Sequence, residues 1–531
     1  MALRFGTDGV RGVANVELTP EFVLALGRAV GRVLVGEAVE AAVGPAVEAA
    51  VGERAARGGT GAAGAGRGRG ETAAGSGLPA PSTTSGRACL VGRDTRRSGP
   101  MLAAALAAGL ASVGVDAVDL GVIPTPGVAA LSAAYGIPGA MISASHNPFY
   151  DNGVKVFAAG GRKLSDEVER RLEEALEEAL GAAAGATGTT DDDDCAVGDR
   201  IGTQLHNGPA APSRRPHSAG GAGVGTLKSD TDGLAWYRRQ VLAALEGRRL
   251  DGMRVVLDCG HGAAVVTAPD VAAGAGAEVV EVLGAAPDGV NINAGCGSTA
   301  PGPLAAAVVA RGADVGLAFD GDADRVIAVD GTGAVVDGDR LLALFATDLA
   351  ARGALAGGTV AVTVMTNLGF HRAMAGAGIA VHQTDVGDRN VLSALDDGGW
   401  SLGGEQSGHL IFRDLATTGD GVLSGLLLLD LVRRAGRPLA ELAAEAMERF
   451  PQVLLNVAVA DPSRLAGMTE VWEEVHAVER HLGERGRVLL RPSGTEPLVR
   501  VMVEASTDAE AGAAVARIAG AVQAALGRPA A

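Results

Sequence analysis

The amino-acid sequence predicts an α/β protein made of several domains. Strand and helix signals alternate along its 531 residues, a pattern typical of α/β units with parallel or mixed sheets. Short apolar, strand-like runs open new units at residues 254–259, at residues 359–365 and near Gln452. The chain is several times longer than one ordinary domain. The predicted domains are residues 1–245, 252–352, 358–448 and 449–531.

The first domain begins with a clear helix signal and contains two unusual segments. Thr19 and Pro20 are typical of an N-cap and of the first helical position. Residues 37–87 are rich in glycine, alanine, arginine and serine, and residues 203–229 in proline, glycine, serine and histidine. Because residues 203–229 and the later part of residues 37–87 have few large apolar side chains, we predict disordered insertions, although the first half of residues 37–87 could extend a helix. Such insertions cost a folded domain little stability.

An acidic loop in the second domain is the most informative stretch of the chain. Asp320, Asp322 and Asp324 alternate in a short loop between two predicted buried strands, and Arg325 follows directly. Three hard oxygen ligands at a strand end suit Mg²⁺. A calcium-binding EF-hand loop would need glycine at its sixth position and glutamate at its twelfth, where this chain has Arg325 and Gly331. A solvated acidic turn is the alternative for this loop taken alone.

A second loop offers a nucleophile. Ser145 and His146 follow an apolar strand-like run, and Lys155 comes ten residues after the serine. An alcohol nucleophile at neutral pH needs a base or a covalently bound phosphate. Taken singly, these residues would more simply be a turn serine, a surface histidine and a solvated cation.

The third and fourth domains each contain a polar loop. Glu405 and Ser407 lie in a glycine-rich frame and could bind sugar hydroxyls, although a capped turn explains them equally well. The last loop combines arginine, hydroxyl groups and a glycine-exposed backbone, which together suit a phosphate dianion. Its candidate phosphate-binding residues are Arg491, Ser493, Gly494, Thr495 and, on the next strand, Arg500. The four loops together predict phosphoryl transfer on a sugar phosphate.

With these loops in this order, the chain resembles the α-D-phosphohexomutase family. The matching segments are residues 5–12, 92–96, 145–148, 320–325, 387–389, 404–409 and 491–497. The resemblance spans nearly the whole chain and implies three similar mixed-sheet α/β domains and a smaller C-terminal α+β domain around a central cleft. Residues 5–12, residues 143–153 and Gln406 are most similar to family members that act on glucosamine phosphates. Relatives acting on mannose or glucose phosphates, which more often have methionine at position 406, are the alternative. A catalytically silent phosphosugar-binding protein is disfavoured.

The resemblance also implies a mechanism and a set of roles. Ser145 would carry a phosphoryl group to the 1-hydroxyl of glucosamine 6-phosphate and take back the 6-phosphoryl group, with a hexosamine or hexose 1,6-bisphosphate as intermediate and activator. One Mg²⁺ per subunit would be bound by Ser145, Asp320, Asp322 and Asp324. Positive charge would come from Arg11, Lys155 and Arg325, while Lys155 and His146 remain alternative bases. The sugar would be bound by Glu405 and Ser407, and the fixed phosphate by the residues of the last loop.

Composition excludes several other classes of protein. The net charge of −17 gives no support for nucleic-acid binding. Four cysteines without a Cys-x-x-Cys pair argue against zinc or a disulfide framework, and Cys89 and Cys259 are expected to be buried thiols. The sequence shows no signal region and no apolar stretch long enough for a membrane span. We expect a cytoplasmic enzyme whose partner is a small sugar phosphate, with a homodimer left open.

Overall fold

The computed structural model describes residues 9–35, 87–185, 219–493 and 496–527. These residues contain four β-sheets flanked by helices. The chain forms two compact units, one made of Met1–Val329 with Leu415–Asp430 and the other of Asp330–Asp414 with Leu431–Ala531. The predicted α/β architecture with a smaller C-terminal α+β domain is confirmed.

The first sheet has six strands in the order β1-β5-β4-β2-β3-β6. The strands are β1 (Val10–Val13), β2 (Ala88–Arg93), β3 (Asp116–Val122), β4 (Gly139–Ile142), β5 (Asp151–Phe157) and β6 (Leu227–Ser229). β2 runs parallel to β3 and β4, whereas β5 runs antiparallel to β4 and β1. The connection between β4 and β5 carries the predicted nucleophile, so this change of direction places Ser145 at the end of a buried strand.

Within the described residues, five α-helices accompany the first sheet: α1 (Pro20–Val33), α2 (Gly99–Ser112), α3 (Thr125–Tyr135), α4 (Asp166–Gly185) and α5 (Gly233–Ala243). The predicted helix start at Thr19 is confirmed, because its side chain accepts a hydrogen bond from the backbone N–H of Phe22. Pro20 occupies the first helical position, where its missing N–H has no intrahelical partner to lose.

The second sheet holds the acidic loop. Its elements are β7 (Arg254–Asp258), α6 (Ala268–Gly274), β8 (Glu278–Leu283), α7 (Gly302–Arg311), β9 (Val315–Phe319), β10 (Val326–Asp330) and β11 (Val335–Val336). The four longer strands lie in the order β10-β9-β7-β8, and β7 runs parallel to both β8 and β9. Every residue of β9 and β10 is buried, so the acidic loop between them starts and ends in the core.

The third sheet lies in the second unit and has the strand order β13-β12-β14-β15. Its elements are α8 (Gly338–Ala351), β12 (Thr359–Thr363), α9 (Leu368–Gly376), β13 (Ala380–Thr384), α10 (Asp388–Gly398), β14 (Leu402–Gly404), β15 (Leu410–Phe412) and, after α11 (Gly421–Ala435), α12 (Leu439–Ala446). Most of α11 belongs to the first unit, which includes Leu415–Asp430. β12 is parallel to β13 and β14, and β15 returns antiparallel to β14. The loop with Glu405 and Ser407 is therefore the turn of a hairpin.

The fourth sheet is smaller and wholly antiparallel, with β18 between β16 and β17. Its elements are β16 (Gln452–Ala458), α13 (Thr469–Leu482), β17 (Arg487–Pro492), β18 (Leu498–Glu504) and α14 (Asp508–Leu526). Aliphatic side chains of the sheet and of the two helices form one buried core. The predicted phosphate loop connects β17 to β18.

The predicted disordered insertion at residues 203–229 is too long at its C-terminal end. Residues 203–229 were expected to be disordered, but residues 219–229 are described, and β6 extends the first sheet by pairing in parallel with β3. Thr226 also donates two hydrogen bonds to the buried Asp116 carboxylate, at 2.8 and 2.9 Å. The prediction was wrong here because these partners come from a distant strand and leave no trace in local composition. The remainder of this segment, and residues 37–86 of the other, lie outside the described residues.

The cysteine prediction is confirmed where the structure describes it. Cys89 and Cys259 are fully buried free thiols, and Cys296 is a third free thiol that is 9% exposed. Burial raises the pKa of Cys89 to about 12, so this thiol stays protonated and unreactive at neutral pH. Among the helices that the structure describes, none is long and apolar enough to cross a membrane.

Helices α1 and α2 approach each other at two glycines. A Cβ atom built on Gly109 would lie 2.2 Å from the carbonyl oxygen of Leu24, and one on Gly27 would lie 2.3 Å from that of Leu106. Such distances are far below van der Waals contact with backbone atoms that cannot rotate away. The two helix backbones are therefore in direct contact.

We expect Gly109→Ala to lower the free energy of unfolding by about 1–3 kcal/mol, because the helices must separate to admit the methyl group. Urea denaturation measures this change. Gly181→Ala is the matched control, since Gly181 is exposed on α4 with no atom near its added Cβ. That change should stabilise by about 0.5–1 kcal/mol. Equal stability of Gly109→Ala and the wild type would contradict the close contact.

Candidate active site

The acidic loop of the first unit gathers three buried carboxylates. Asp320 and Asp322 are fully buried, Asp324 is 4% exposed, and one oxygen of each lies within 4.8 Å of the others. A solvated turn is therefore excluded. Burial, followed by the charges of Asp324 and Asp322, raises the pKa of Asp320 well above its ordinary value. Three hard oxygen donors that repel one another form a fitting site for a divalent cation such as Mg²⁺.

Lys155 partly neutralises this cluster. It projects from β5, is 3% exposed, and its Nζ lies 2.7 Å from Asp322 Oδ2 and 2.9 Å from Asp324 Oδ2. It is thus not a solvated surface cation. Arg325 contributes a second positive charge, with its Nε 3.8 Å from Asp324 Oδ1. The structure brings two of the three predicted cations, Lys155 and Arg325, to the acidic loop.

Ser145 meets the same cluster from the other side. It lies in the connection between β4 and β5, it is 1% exposed, and its Oγ donates a 2.5 Å hydrogen bond to Asp320 Oδ2. Its backbone has φ of 52°, in the left-handed region that non-glycine residues seldom adopt. The predicted nucleophile and the predicted metal ligands therefore form one site.

His146 is held by an arginine rather than by the serine. Its Nδ1 lies 2.8 Å from Arg325 Nη1 but 3.4 Å from Ser145 Oγ. Since a guanidinium only donates, Nδ1 must accept, and the ring proton belongs on Nε2. Burial, then Arg325 and Arg11, lower the pKa of His146 to about 4, so the ring is neutral at pH 7. Arg11, on β1, thereby acts on this loop through its charge.

Sequence reasoning missed the residue that shapes the serine loop. The guanidinium of Arg96 is buried, and its Nη2 donates to the carbonyl oxygens of Ser145 at 2.8 Å and Asn147 at 2.9 Å. Its Nη1 donates to the carbonyl oxygens of Pro148 and Asp151. One side chain thus holds four carbonyl groups of one turn. The segment at residues 92–96 contained the signal, but only the folded chain shows what its arginine binds.

Asp94 completes this scaffold. Its Oδ2 accepts from Arg96 Nε at 2.8 Å and from Ser143 Oγ at 2.8 Å. Ser143 Oγ in turn accepts from the backbone N–H of Ser145 at 2.9 Å. From the second sheet, Asn293 Nδ2 donates to the Ser145 carbonyl at 2.9 Å. The strained backbone of Ser145 is therefore fixed at both its N–H and its carbonyl group.

The hairpin turn of the second unit brings Glu405 and Ser407 together. Ser407 Oγ donates to Glu405 Oε2 at 3.3 Å, and the backbone N–H of Gly387 donates to Glu405 Oε1 at 3.1 Å. Next to this turn, His409 Nε2 lies 3.5 Å from Asp388 Oδ2. These contacts join two of the segments that carried the family resemblance. They agree equally well with a structural turn, so sugar binding stays a prediction.

The phosphate loop in the same unit concentrates positive charge. Arg491 on β17 and Arg500 on β18 are paired in the strand register. Burial and then the charge of Arg500 lower the pKa of Arg491. Ser493 Oγ accepts from the backbone N–H of Glu496, whose carboxylate lies 3.4 Å from Arg500 Nη2. Two neighbouring guanidinium groups form a place where an anion is favoured. Gly494 and Thr495 lie outside the described residues.

Comparison with known proteins defines the class. Four family models match in sequence: phosphoglucomutase/phosphomannomutase α/β/α domain I at residues 2–45 and 72–181, domain II at residues 237–333, domain III at residues 337–450 and the C-terminal domain at residues 454–521. The chain therefore belongs to the phosphoglucomutase/phosphomannomutase family.

Full-length relatives narrow this assignment. The phosphoglucosamine mutase of Streptomyces coelicolor is 47% identical over 528 residues, covering 99% of this chain and 100% of the relative. That of Mycolicibacterium smegmatis is 46% identical, covering 98% of each chain. This chain is thus similar to phosphoglucosamine mutases along its whole length.

Solved structures agree in fold. A phosphoglucomutase/phosphomannomutase family protein from Burkholderia thailandensis superposes with a TM-score of 0.68 at 23% identity, covering 98% of this chain and 97% of that one. The Aspergillus fumigatus N-acetylphosphoglucosamine mutase, solved with GlcNAc-6P and magnesium, gives a TM-score of 0.52 at 18% identity, covering 79% of this chain and 94% of that one. At these identities the likeness concerns the fold alone.

We expect Arg96→Lys to lower the free energy of unfolding by about 2–3 kcal/mol, since an ammonium group cannot reach four carbonyl groups and a carboxylate together. The free energy of unfolding measured by urea denaturation and the turnover number should both be lower than in the wild type. Arg93→Lys, in the same segment, is the control: Arg93 forms a partly exposed ion pair with Asp119. It should cost at most about 1 kcal/mol. Equal losses in the two variants would argue against the scaffold.

Proposed function

We propose that the protein is a phosphoglucosamine mutase that interconverts glucosamine 6-phosphate and glucosamine 1-phosphate through a phosphoserine at Ser145. The observation that carries this proposal is the buried pair of Ser145 Oγ and Asp320 Oδ2, with two further carboxylates beside it. Full-length relatives of that activity, at up to 47% identity, support the choice of sugar. The enzyme is accordingly an isomerase of the phosphohexomutase class.

Asp320, Asp322 and Asp324 would hold one Mg²⁺ per subunit together with an oxygen on Ser145. The donor set fits this ion, because all three groups are buried oxygen ligands. Asp322 Oδ1, in addition, is buried and accepts no hydrogen bond from any residue that the structure describes. When bound, the metal would offset the charge of the transferring phosphoryl group.

The cations of the first unit would stabilise the phosphoryl group during transfer. Arg325 is oriented by His146, and Arg11 and Lys155 add positive charge at the same loop. Phosphoryl transfer depends mainly on positioning and on such charge stabilisation. The contact with Arg325 occupies the Nδ1 lone pair of His146. Lys155 and His146 both stay candidates for accepting the proton of the sugar hydroxyl, and Lys155 would first have to lose the proton with which it pairs to Asp322 and Asp324.

The second unit would bind the substrate. Arg491, Ser493 and Arg500, with Gly494 and Thr495, would hold the phosphate that is not being transferred. Glu405 and Ser407 would bind sugar hydroxyls in both orientations, which a mutase requires because its intermediate, a 1,6-bisphosphate, must react at either end. The paired arginines on β17 and β18 support the first role. The cytoplasmic location and the homodimer remain predictions.

A substrate panel tests the choice of sugar. With Mg²⁺ and a trace of sugar 1,6-bisphosphate, we expect kcat/KM for glucosamine phosphate to exceed that for glucose or mannose phosphate by at least about tenfold, because a site that hydrogen-bonds one substituent rejects its analogues. Higher turnover of glucose or mannose phosphate would overturn the name and keep the mechanism. Release of inorganic phosphate would indicate a phosphatase. If no sugar phosphate is turned over, the protein would be a silent binding protein.

Ser145→Ala tests the phosphoserine. We expect turnover to fall by at least about 10³-fold, because the group that carries the phosphoryl is gone. Wild-type protein incubated with ³²P-labelled bisphosphate should retain label on a peptide that contains Ser145, and the variant should not. Ser132→Ala, which removes another buried hydroxyl of the first unit, should label normally. Retained activity in folded Ser145→Ala would sink the mechanism.

A further inference from the structure

Thr125 donates two hydrogen bonds to Asp322 of the acidic loop. It opens helix α3 and is 1% exposed. Its Oγ1 donates a 2.6 Å hydrogen bond to Asp322 Oδ2, and its backbone N–H donates a 2.9 Å hydrogen bond to the Asp322 carbonyl oxygen. The first N–H groups of a helix have no intrahelical acceptor. The acidic loop thus caps the N-terminus of α3, and α3 in turn holds the position of Asp322.

The two oxygens of Asp322 differ as a result. Oδ2 accepts from both Thr125 Oγ1 and Lys155 Nζ. Oδ1 is buried and accepts no hydrogen bond from the residues that the structure describes. Leaving a buried carboxylate oxygen without a donor costs about 1–3 kcal/mol or more. Such an atom is retained most readily where a cation satisfies it.

The side chain of Thr125 is well suited to determine which oxygen of Asp322 accepts the hydrogen bond. A hydroxyl has a single proton to donate, and here it goes to Oδ2. The β-branched side chain has few accessible rotamers, and burial restricts it further. Without this hydrogen bond, the Asp322 carboxylate could turn about its terminal torsion, which is broad for this residue type. Either oxygen could then face the other two aspartates.

We propose that Thr125 is a positioning residue of the metal site, whose hydroxyl holds Asp322 Oδ2 so that Oδ1 is the oxygen offered to Mg²⁺. The inference rests on the metal site of the proposed function and is independent of the sugar. Thr125 would act on the metal site through its two hydrogen bonds to Asp322. Partners in the shell around metal ligands commonly change metal affinity by about 10–100-fold.

Calorimetric titration of Mg²⁺ into the full-length, unphosphorylated protein without sugar tests the proposal. Thr125→Val keeps the shape and removes the hydroxyl, and should weaken Mg²⁺ binding by at least about tenfold. Thr125→Ser keeps the hydroxyl and should stay within about threefold of the wild type, since the same donor remains. Thr267→Val is the matched control: Thr267 is fully buried in the same unit and donates to the Ala264 carbonyl oxygen at 3.3 Å. It should bind Mg²⁺ as the wild type does.

A second measurement separates positioning from general damage. If Thr125 only positions a ligand, Thr125→Val should need more Mg²⁺ for half-maximal turnover but recover most of kcat at saturation. If Thr125→Val does not fold, Thr125→Ala takes its place in both measurements. Wild-type Mg²⁺ affinity in the folded hydroxyl-free variant would overturn the proposal. So would equal loss in Thr125→Ser. Tight Mg²⁺ binding without isomerisation of glucosamine phosphate would overturn the proposed function alone.

Discussion

The burial of three carboxylates in one short loop is the constraint on which the first unit depends. Charges taken out of water are costly unless they are paired or bind a cation. Lys155 from the first sheet and Arg325 from the loop itself form ion pairs with these carboxylates. The hydroxyl groups of Ser145 and Thr125 donate hydrogen bonds to them. In the part of the chain that the structure describes, Lys155 and Arg325 lie against these carboxylates, and the carboxylates still repel one another. A divalent metal would complete the balance.

The same constraint explains why the nucleophile sits on a strained turn. Ser145 reaches Asp320 from a left-handed backbone conformation, which costs free energy. Arg96 supplies the compensation through four carbonyl groups, and Asp94 fixes both Arg96 and Ser143. The ion pair of Asp94 and Arg96 is therefore best understood as a scaffold. It touches no catalytic atom and determines where the serine hydroxyl points.

The second unit concentrates charge of the opposite sign. Arg491 and Arg500 lie opposite each other on neighbouring strands, where their mutual repulsion and burial lower the pKa of Arg491. An anion relieves that repulsion, as a cation relieves the repulsion among the aspartates. Each unit thus contains a site that is electrostatically incomplete in its own way. The proposed phosphoryl transfer on a sugar phosphate would use both kinds of site.

Sequence alone determined the chemical groups, because each loop is contiguous and its residue types limit what it can bind. The alternation of strands and helices and the cap at Thr19 were equally readable, since they depend on local periodicity and hydrogen bonding. Only the tertiary structure decided the partnerships. Ser145 and Asp320 are 175 positions apart, and Thr125 and Asp322 are 197 apart. Strand pairing and sheet packing set such contacts, and strand pairing also places the edge strand β6 beside β3. No local pattern encodes these partnerships, because the partners are distant in sequence.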